Sequence, residues 1–474
     1  MQRSEPTRAR WLEVLERHRG VLDRPDSGDF WSRRYDLASR DELTAIQNEK
    51  LAALTPFLYE NSAFYRRRFE RLGLTPGDIQ SIEDLPKWPV VTKEEMARDA
   101  AEHPPFGTYL TIDEEHWRDR GWMQFSSSGT SGVPRAFRYT HVDRLYWIWA
   151  NARALHAMQI RRGDTVLPIG GFGPHVWLWG VMQTLTQMQI AVIPGGGMDG
   201  AARARLIERF KPTVIACTPS YALYLAHAMR ELGIDPARST VRTLFIGGEP
   251  GVSVSSTRQR LESLWNARTV EFYGCTEASP HVGGFSCPHS TCTSPAFAHL
   301  LEDVQVWETV DPVEHRRVPD GTRGLTVCTS LNSESSPQLR FLVGDFTTLD
   351  YRGCACGRSH VRALGSFAGR ADDLINLRGI KFFPSQIEEA VRSIAGTGDE
   401  FEIVLDTQAD GLDVMTVRIE HADHGVASAI TDRVAHEIRS RCEIRSRVEV
   451  VRPGTLPRTE FKARRVRDLR RKSP

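Results

Sequence analysis

TVIACTPSYALYLAHAMRELG, residues 213–233, opens as a short apolar run and continues as a segment with apolar residues at helical spacing that stops at a glycine. The next apolar run, VRTLFIGGEP (241–250), follows at once. Strand, helix, strand in this order argues for parallel pairing with the helix as the crossover. The pattern extends both ways. DTVLPIG (164–170), IAVIPGG (190–196) and TVEFYGCTEA (269–278) read as further strands. HVDRLYWIWANARALHAMQI (141–160) and ARARLIERF (202–210) read as helices. The fold class expected for residues 140–278 is therefore α/β, a mostly parallel sheet covered by helices.

Upstream, residues 1–120 are polar and helical; residues 40–73 put apolar side chains at helical spacing and end on Gly73. Downstream, VQVWETVDP (304–312), GLTVCTS (324–330) and RFLVGDFTTLD (340–350) read as consecutive strands, expected to form a small β-barrel on the α/β body. Composition shifts after GRADDLINLRG (369–379). Residues 371–474 mix strands and helices as a separate α+β domain of ordinary size, leaving 1–370 as a large N-terminal domain of layered α/β sheets. The last stretch, 461–474, carries seven Lys or Arg against one Asp and reads first as a solvated basic tail.

The 474 residues are 40% hydrophobic and 26% charged, which is globular composition. A net charge of +1 argues against nucleic acid as a partner. The first twenty residues lack the apolar core of a secretion signal, and no run of about 18 apolar residues argues for a membrane span. The eight cysteines are then expected as reduced thiols or metal ligands in a cytoplasmic protein.

FSSSGTSGVPRAFRYT, residues 125–140, packs five hydroxyls and two glycines into its first eight positions. A flexible linker would be longer and lack flanking strand signals. Small residues let backbone N–H groups approach an anion, and hydroxyls add donors, so a phosphate-binding turn competes with a purely structural one.

Five stretches occur in order: SSSGTSGVPR (126–135), EFYGCTEAS (271–279), FLVGDFTTLD (341–350), GRADDLINLRG (369–379) and LPRTEFKARRV (456–466). Together they resemble the core motifs of the AMP-forming acyl-CoA synthetase and adenylation-domain superfamily. FKPTVIACTPSYALYLA (210–226), GGEP (247–250) and LRGIKFFPSQIEEAV (377–391) narrow the resemblance to phenylacetate-CoA ligase-like proteins. It covers roughly residues 30–470 and implies a small mobile C-terminal domain, with Asp372 at the hinge.

The resemblance implies roles residue by residue. Ser127, Ser128, Thr130 and Ser131 would donate hydroxyls to the ATP β- and γ-phosphates, with Gly129 and Gly132 allowing close approach. Arg135 stands where the family usually has Lys, which keeps the charge but changes its geometry. Gly247, Gly248, Glu249 and Pro250 would form the adenine-side loop, and Tyr273, beside Gly274, would lie against the ring. Thr276 would bond the α-phosphate region and Glu277 would help hold Mg²⁺. Asp345 would accept from both ribose hydroxyls, reinforced by Arg370. Lys462, preceded by Phe461 where the family has Gly, would counter the charge that gathers as pyrophosphate leaves.

Two loops supply metal-ligand residue types. CACGRSH (354–360) carries Cys354 and Cys356; FSCPHSTCTSPAFAHLLED (285–303) carries Cys287, Cys292, His289 and His299. Two ligands from each would complete a structural Zn²⁺ site, which the resemblance assigns to Cys287, His299, Cys354 and Cys356, with Cys292 as the rival.

GGFGPHVWLWG (170–180) falls where the family lines its acid pocket. Phe172, His175, Trp177 and Trp179 suggest a flat aromatic acid, with His175 either bonding a ring substituent or packed as a core residue. The resemblance thus implies adenylation of an aromatic carboxylic acid by ATP and transfer to CoA. The alternatives change the acceptor or the acid: a carrier-protein or amide ligase, or a nitrite-activating arylamine diazotase. A non-catalytic nucleotide-binding regulator would not need Lys462, Glu277 and Asp345 together. A homodimer is an allowed assembly.

Overall fold

Thr218 explains why the stretch at 213–233 divides where it does. Its hydroxyl accepts from the Tyr221 N–H, capping helix Pro219–Glu231, whose first position is proline. The run before the cap is strand Val214–Cys217, buried along its length. This computed structural model describes residues 5–127, 135–170, 172–173, 175–367, 369–408, 412–421, 427–458, 463 and 465–470. The chain divides into two units, Met1–Asp164 with Phe172–Val192 and Phe272–Ser366, and Thr165–Gly171 with Ile193–Glu271 and Phe367–Pro474.

In the second unit, strands Thr165–Pro168, Val214–Cys217 and Thr243–Gly247 pair in parallel, with Val166 opposite Val214 and Val214 opposite Thr243. Helices Gly200–Phe210, Pro219–Glu231 and Ser255–Trp265 accompany them, as the alternation requires. The C-terminal part has its own core, in which Leu377, Ile387, Val391, Ile403, Leu405, Val417, Ile419, Val434 and Ile438 pack together. Its strands run in the order Arg447–Val451, Asp413–Glu420, Phe401–Thr407, Val466–Asp468, with helices Pro384–Arg392 and Ala427–Cys442.

The first unit begins with helices. Ser39 and Glu42 form a reciprocal cap at the start of Arg40–Asn61, and Gly73 ends Ala63–Leu72 at φ +65°. Its antiparallel strands pair in the linear order Gln305–Val310, Arg323–Ser330, Phe341–Asp350, Arg362–Leu364, Phe297–His299, Ser279–Phe285. A register shift interrupts the second pairing between Leu325 and Val327. Helices His141–Ala157 and Val176–Gln187 pack on strand Ser279–Phe285.

A buried ionic centre ties these pieces together. Arg153 is fully enclosed; its guanidinium donates to Asp36 at 2.9 Å and to Asp303 at 2.8 Å, and lies 2.9 Å from His360 Nε2. Lys50, also enclosed, donates to the Asp303 carbonyl at 2.6 Å, and burial pushes its ammonium down to about 8. Such a centre costs desolvation and is tolerable because nearly every charge in it has a partner. Among the described residues, no helix is long and apolar enough to cross a membrane.

Candidate nucleotide site and cysteine–histidine cluster

The hydroxyl-rich stretch lies between two paired strands. Gly121–Ser126 and Ala136–Thr140 run antiparallel with Ser126 opposite Ala136, and the Ser127 N–H donates to the Arg135 carbonyl at 3.0 Å. The stem thus fixes where the turn begins and ends. Ser128, Gly129, Thr130, Ser131 and Gly132 lie outside the described residues, as do Phe461 and Lys462. Ser127 is buried, and its hydroxyl has no partner among the described residues. Tyr109 anchors one stem strand by donating to the Ala136 carbonyl at 2.9 Å.

Arg135 reaches from that stem to the motif at 271–279. Its Nη2 donates to Glu277 Oε1 at 2.7 Å, and both side chains are buried. Tyr139, on the same stem, donates to the Thr276 carbonyl at 2.8 Å. Gly274 is the last residue but one of strand Arg268–Cys275, and a Cβ there would sit 2.9 Å from the Ser279 carbonyl, too close for any residue but glycine. Tyr273 donates to Asp345 Oδ2 at 2.5 Å, and the Asp345 carbonyl accepts from Thr326 at 2.9 Å. Within the first unit the motif at 271–279 thus makes three separate polar contacts, Glu277 with Arg135, the Thr276 carbonyl with Tyr139, and Tyr273 with Asp345.

In the second unit, strand Thr243–Gly247 runs into Gly248 at φ +81°. Glu249 then accepts from the Ser220 hydroxyl at 2.6 Å and from the Ala463 N–H at 2.6 Å, and burial pushes its carboxyl up. Pro250 is half-buried in the same turn. Arg370 lies 3.5 Å from Asp372, at the start of the short turn Ala371–Asp373.

His175 occupies the cap position of helix Val176–Gln187 and is exposed. Beside it, Trp179 donates to the Gly173 carbonyl at 3.0 Å and meets Phe172 edge-on at 5.1 Å. Trp177 is half-buried.

Sequence reading missed His281. It lies on the fully buried strand Ser279–Phe285, with Nε2 3.1 Å from Gln305 Nε2 and 3.2 Å from Asn332 Nδ2. Both neighbours are amide donors, so Nε2 is the acceptor and Nδ1 carries the proton. Burial pushes its pKa down to about 3. A polar ring in an otherwise apolar strand was the available signal.

Cys287, His299, Cys354 and Cys356 place their ligand atoms within 4.8 Å of one another. Cys287 Sγ is 3.8 Å from Cys354 Sγ, and Cys356 Sγ is 3.4 Å from His299 Nε2. A tetrahedron with Zn–S of about 2.3 Å and Zn–N of about 2.0 Å has edges of about 3.8 Å and 3.5 Å, so the donor set fits. Hydrogen bonds from Cys287 and Cys354 hold Cys356 well below the usual thiol range, in the form a metal takes. Cys292 is exposed, with its thiol on the Pro288 carbonyl.

Comparison with known proteins gives the chain its family. The AMP-binding enzyme family matches residues 79–330, and the AMP-binding enzyme C-terminal domain matches residues 379–470. Phenylacetate-coenzyme A ligase of Thermus thermophilus is 32% identical over 451 residues, which is 91% of this chain and 98% of that protein. The enzyme of that name from Pseudomonas putida is 32% identical over 92% of this chain and 96% of its own. The crystal structure of 2-hydroxyisobutyryl-CoA ligase in the postadenylation state with 2-HIB-AMP superposes with a TM-score of 0.86 at 29% identity, over 94% and 93% of the two chains. Family matches and whole-length identity lead to one placement: the chain belongs to the AMP-binding enzyme family and, within it, to the phenylacetate-coenzyme A ligase-like proteins.

Proposed function

We propose that this protein is an AMP-forming ligase that activates an aromatic carboxylic acid with ATP and transfers the acyl group to CoA. The observation that carries the reading is its alignment with phenylacetate-coenzyme A ligases over almost their whole length. Those relatives are named for transfer to coenzyme A, so the carrier-protein, amide and diazotase alternatives are not favoured.

Two steps balance the reaction. A carboxylate oxygen bonds to the α-phosphorus of ATP as pyrophosphate leaves. The CoA thiol, giving up its proton, then bonds to the acyl carbon as AMP leaves. Asp345, fixed by Tyr273, offers its carboxylate to the ribose diol. Ser127, whose buried hydroxyl has no partner among the described residues, would donate it to a phosphate oxygen. Glu277 would hold Mg²⁺, which would draw charge off the phosphates, and Arg135 screens Glu277 when the metal is away. Lys462 would counter the transition-state charge of the first step, a contact worth about 3–4 kcal/mol in comparable sites. Residues 371–474 would act as the mobile domain, which their separate core makes workable.

The four-residue cluster would hold Zn²⁺ as a structural ion. Four protein ligands leave no open coordination position, so the ion would staple the two loops and take no part in chemistry.

The acid pocket would use Phe172 and Trp179 as its flat wall and His175 as a polar contact for a ring substituent. The test is AMP release with substituted benzoates, phenylacetates and cinnamates against octanoate, each with and without CoA. Aromatic acids should exceed octanoate, and thioester should accumulate only with CoA. His175→Phe should erase a preference of roughly tenfold for polar-substituted rings, the value of one hydrogen bond. A wild-type preference for octanoate would refute the aromatic assignment.

A further inference from the structure

Glu249 was expected to line the adenine, but both its carboxylate oxygens are already committed. Oε2 accepts from the Ser220 hydroxyl at 2.6 Å and the Ser220 N–H at 3.3 Å; Oε1 accepts from the Ala463 N–H at 2.6 Å. Ser220 is the second residue of helix Pro219–Glu231, so the carboxylate sits on an N-terminal turn, where unpaired N–H groups and the helix dipole favour an anion. The loop carrying Glu249 is tightly seated: a Cβ on Gly251 would fall 2.4 Å from Ile246 and 2.7 Å from Pro219. Burial also makes any uncompensated charge on Glu249 costly, which strengthens the demand for its donors.

The Ala463 N–H belongs to the peptide plane that joins Ala463 to Lys462. Holding that N–H ties the main chain at Ala463, next in sequence to Lys462, to the turn that carries Glu249. We propose that Glu249 is a positioning residue for the adenylation half-reaction: its carboxylate docks the main chain at Ala463 on the Gly247–Pro250 turn. The inference rests on the reading of Lys462 given above.

The surroundings support docking over a stray contact. Glu389 accepts from the Ser256 N–H at 3.0 Å and hydroxyl at 2.9 Å, at the start of helix Ser255–Trp265. Glu388 accepts from Thr257 at 2.7 Å. Arg260 donates to the Thr397 carbonyl at 3.1 Å and pairs with Asp399, which also pairs with His227. Two helix N-termini, those of Pro219–Glu231 and Ser255–Trp265, thus each receive a carboxylate at this junction within the second unit, one of them from the C-terminal part. Glu249 differs from the others in gripping the main chain beside Lys462. Its side chain therefore leaves the turn's backbone, at Gly247 and Gly248, to face a flat ring.

The contact should matter only while Lys462 is in use, so it should favour one half-reaction. The experiment compares acid-dependent ATP–pyrophosphate exchange with thioester formation from supplied acyl-AMP and CoA, in the same preparations of wild type, Glu249→Gln, Glu249→Ala and Ser220→Ala. The ratio of exchange to thioester formation should fall by roughly 10–100-fold in Glu249→Ala, the span of one charge-assisted hydrogen bond. Glu249→Gln should fall less, because one acceptor oxygen remains. Ser220→Ala should fall in the same direction by less than tenfold, and it serves if the Glu249 variants do not fold. An equal fall in both halves would make Glu249 merely structural and overturn the proposal. So would a raised KM for ATP with kcat intact and lost discrimination between ATP and GTP, which would mark an adenine contact. Lys462→Ala separates the two levels. If it leaves exchange intact, the reading of Lys462 fails; if it abolishes exchange while Glu249→Ala does not, only the present proposal fails.

Discussion

Arg135 and Glu277 form a buried ion pair at 2.7 Å, their side chains 5% and 8% exposed. The two residues come from motifs 142 positions apart, and each was expected to serve a different part of MgATP. In the structure they pair with each other. A buried carboxylate cannot stay charged alone, and a guanidinium cannot lose its proton to relieve it.

Arg135→Ala should therefore destabilise the protein by about 3–5 kcal/mol, the usual cost of removing one partner of a buried pair. Mg²⁺ should restore part of that loss, because a cation at Glu277 replaces the missing charge. Thermal melts with and without about tenfold-varied Mg²⁺ test this. The variant's Tm should respond to Mg²⁺ more than that of wild type; an equal response would mean Glu277 does not meet the metal.

The cysteine–histidine cluster gives an analytical prediction. Protein purified without chelator should carry close to one zinc per chain. Cys287→Ser, Cys354→Ser and Cys356→Ser should each lose metal and lower Tm, whereas Cys292→Ser should lose neither. Surviving enzyme should keep its chemistry. Elemental analysis showing no zinc in wild type, or loss in Cys292→Ser alone, would refute the assignment.

Much of this was legible before the structure. The alternation around 213–247 was readable because a Thr cap and a proline start the helix where the apolar run ends. The separate C-terminal core showed as a composition shift. Other features were not readable. Cys287 and Cys292 are equivalent as letters; what separates them is that only Cys287 is buried against Cys354. The Arg153 centre joins residues 36, 153, 303 and 360, and no local pattern relates such distant positions. Glu249 stands out in the sequence as part of GGEP, but its partner Ala463 lies 214 residues away.

His281 yields a pH prediction. In the unfolded chain it protonates near 6.5; in the fold, burial holds the value at about 3. Between these values the unfolded state binds the extra proton, so stability falls as pH drops from 6.5 toward 3. His18 and His156 are also lowered by burial and act in the same direction. Asp36 and Asp303 act in a lower window: burial pushes both up, but Arg153 and His360 together, with Arg358 at Asp36 and Lys50 at Asp303, outweigh it and hold both below 3.8. Melts at pH 6.5 and 4.5 sample the histidines, against which Glu249 and Asp143, raised by burial, act in the opposite direction. His281→Asn should flatten the decline over that interval without removing it. An unchanged slope would mean that His281 does not titrate there.

Asp345 is the residue whose role can be read most directly from nucleotide analogues. Its carboxylate is buried and accepts from Tyr273, and a carboxylate offers about four acceptor sites in all. A ribose diol can take those sites. Each hydroxyl-to-carboxylate bond is worth about 1.5–3 kcal/mol, and Asn retains only one acceptor oxygen. Asp345→Asn should therefore weaken ATP binding by roughly 10–100-fold, measured as Kd by titration. Wild type should weaken comparably toward 2′,3′-dideoxy-ATP, and the variant should show little further loss with that analogue. Tyr273→Phe should cost less than tenfold, because it removes one donor and leaves the carboxylate intact. If Asp345→Asn instead weakened ATP and dideoxy-ATP by the same factor, its carboxylate would not be reading the ribose, and the Tyr273–Asp345 pair would be only a strut between two strands.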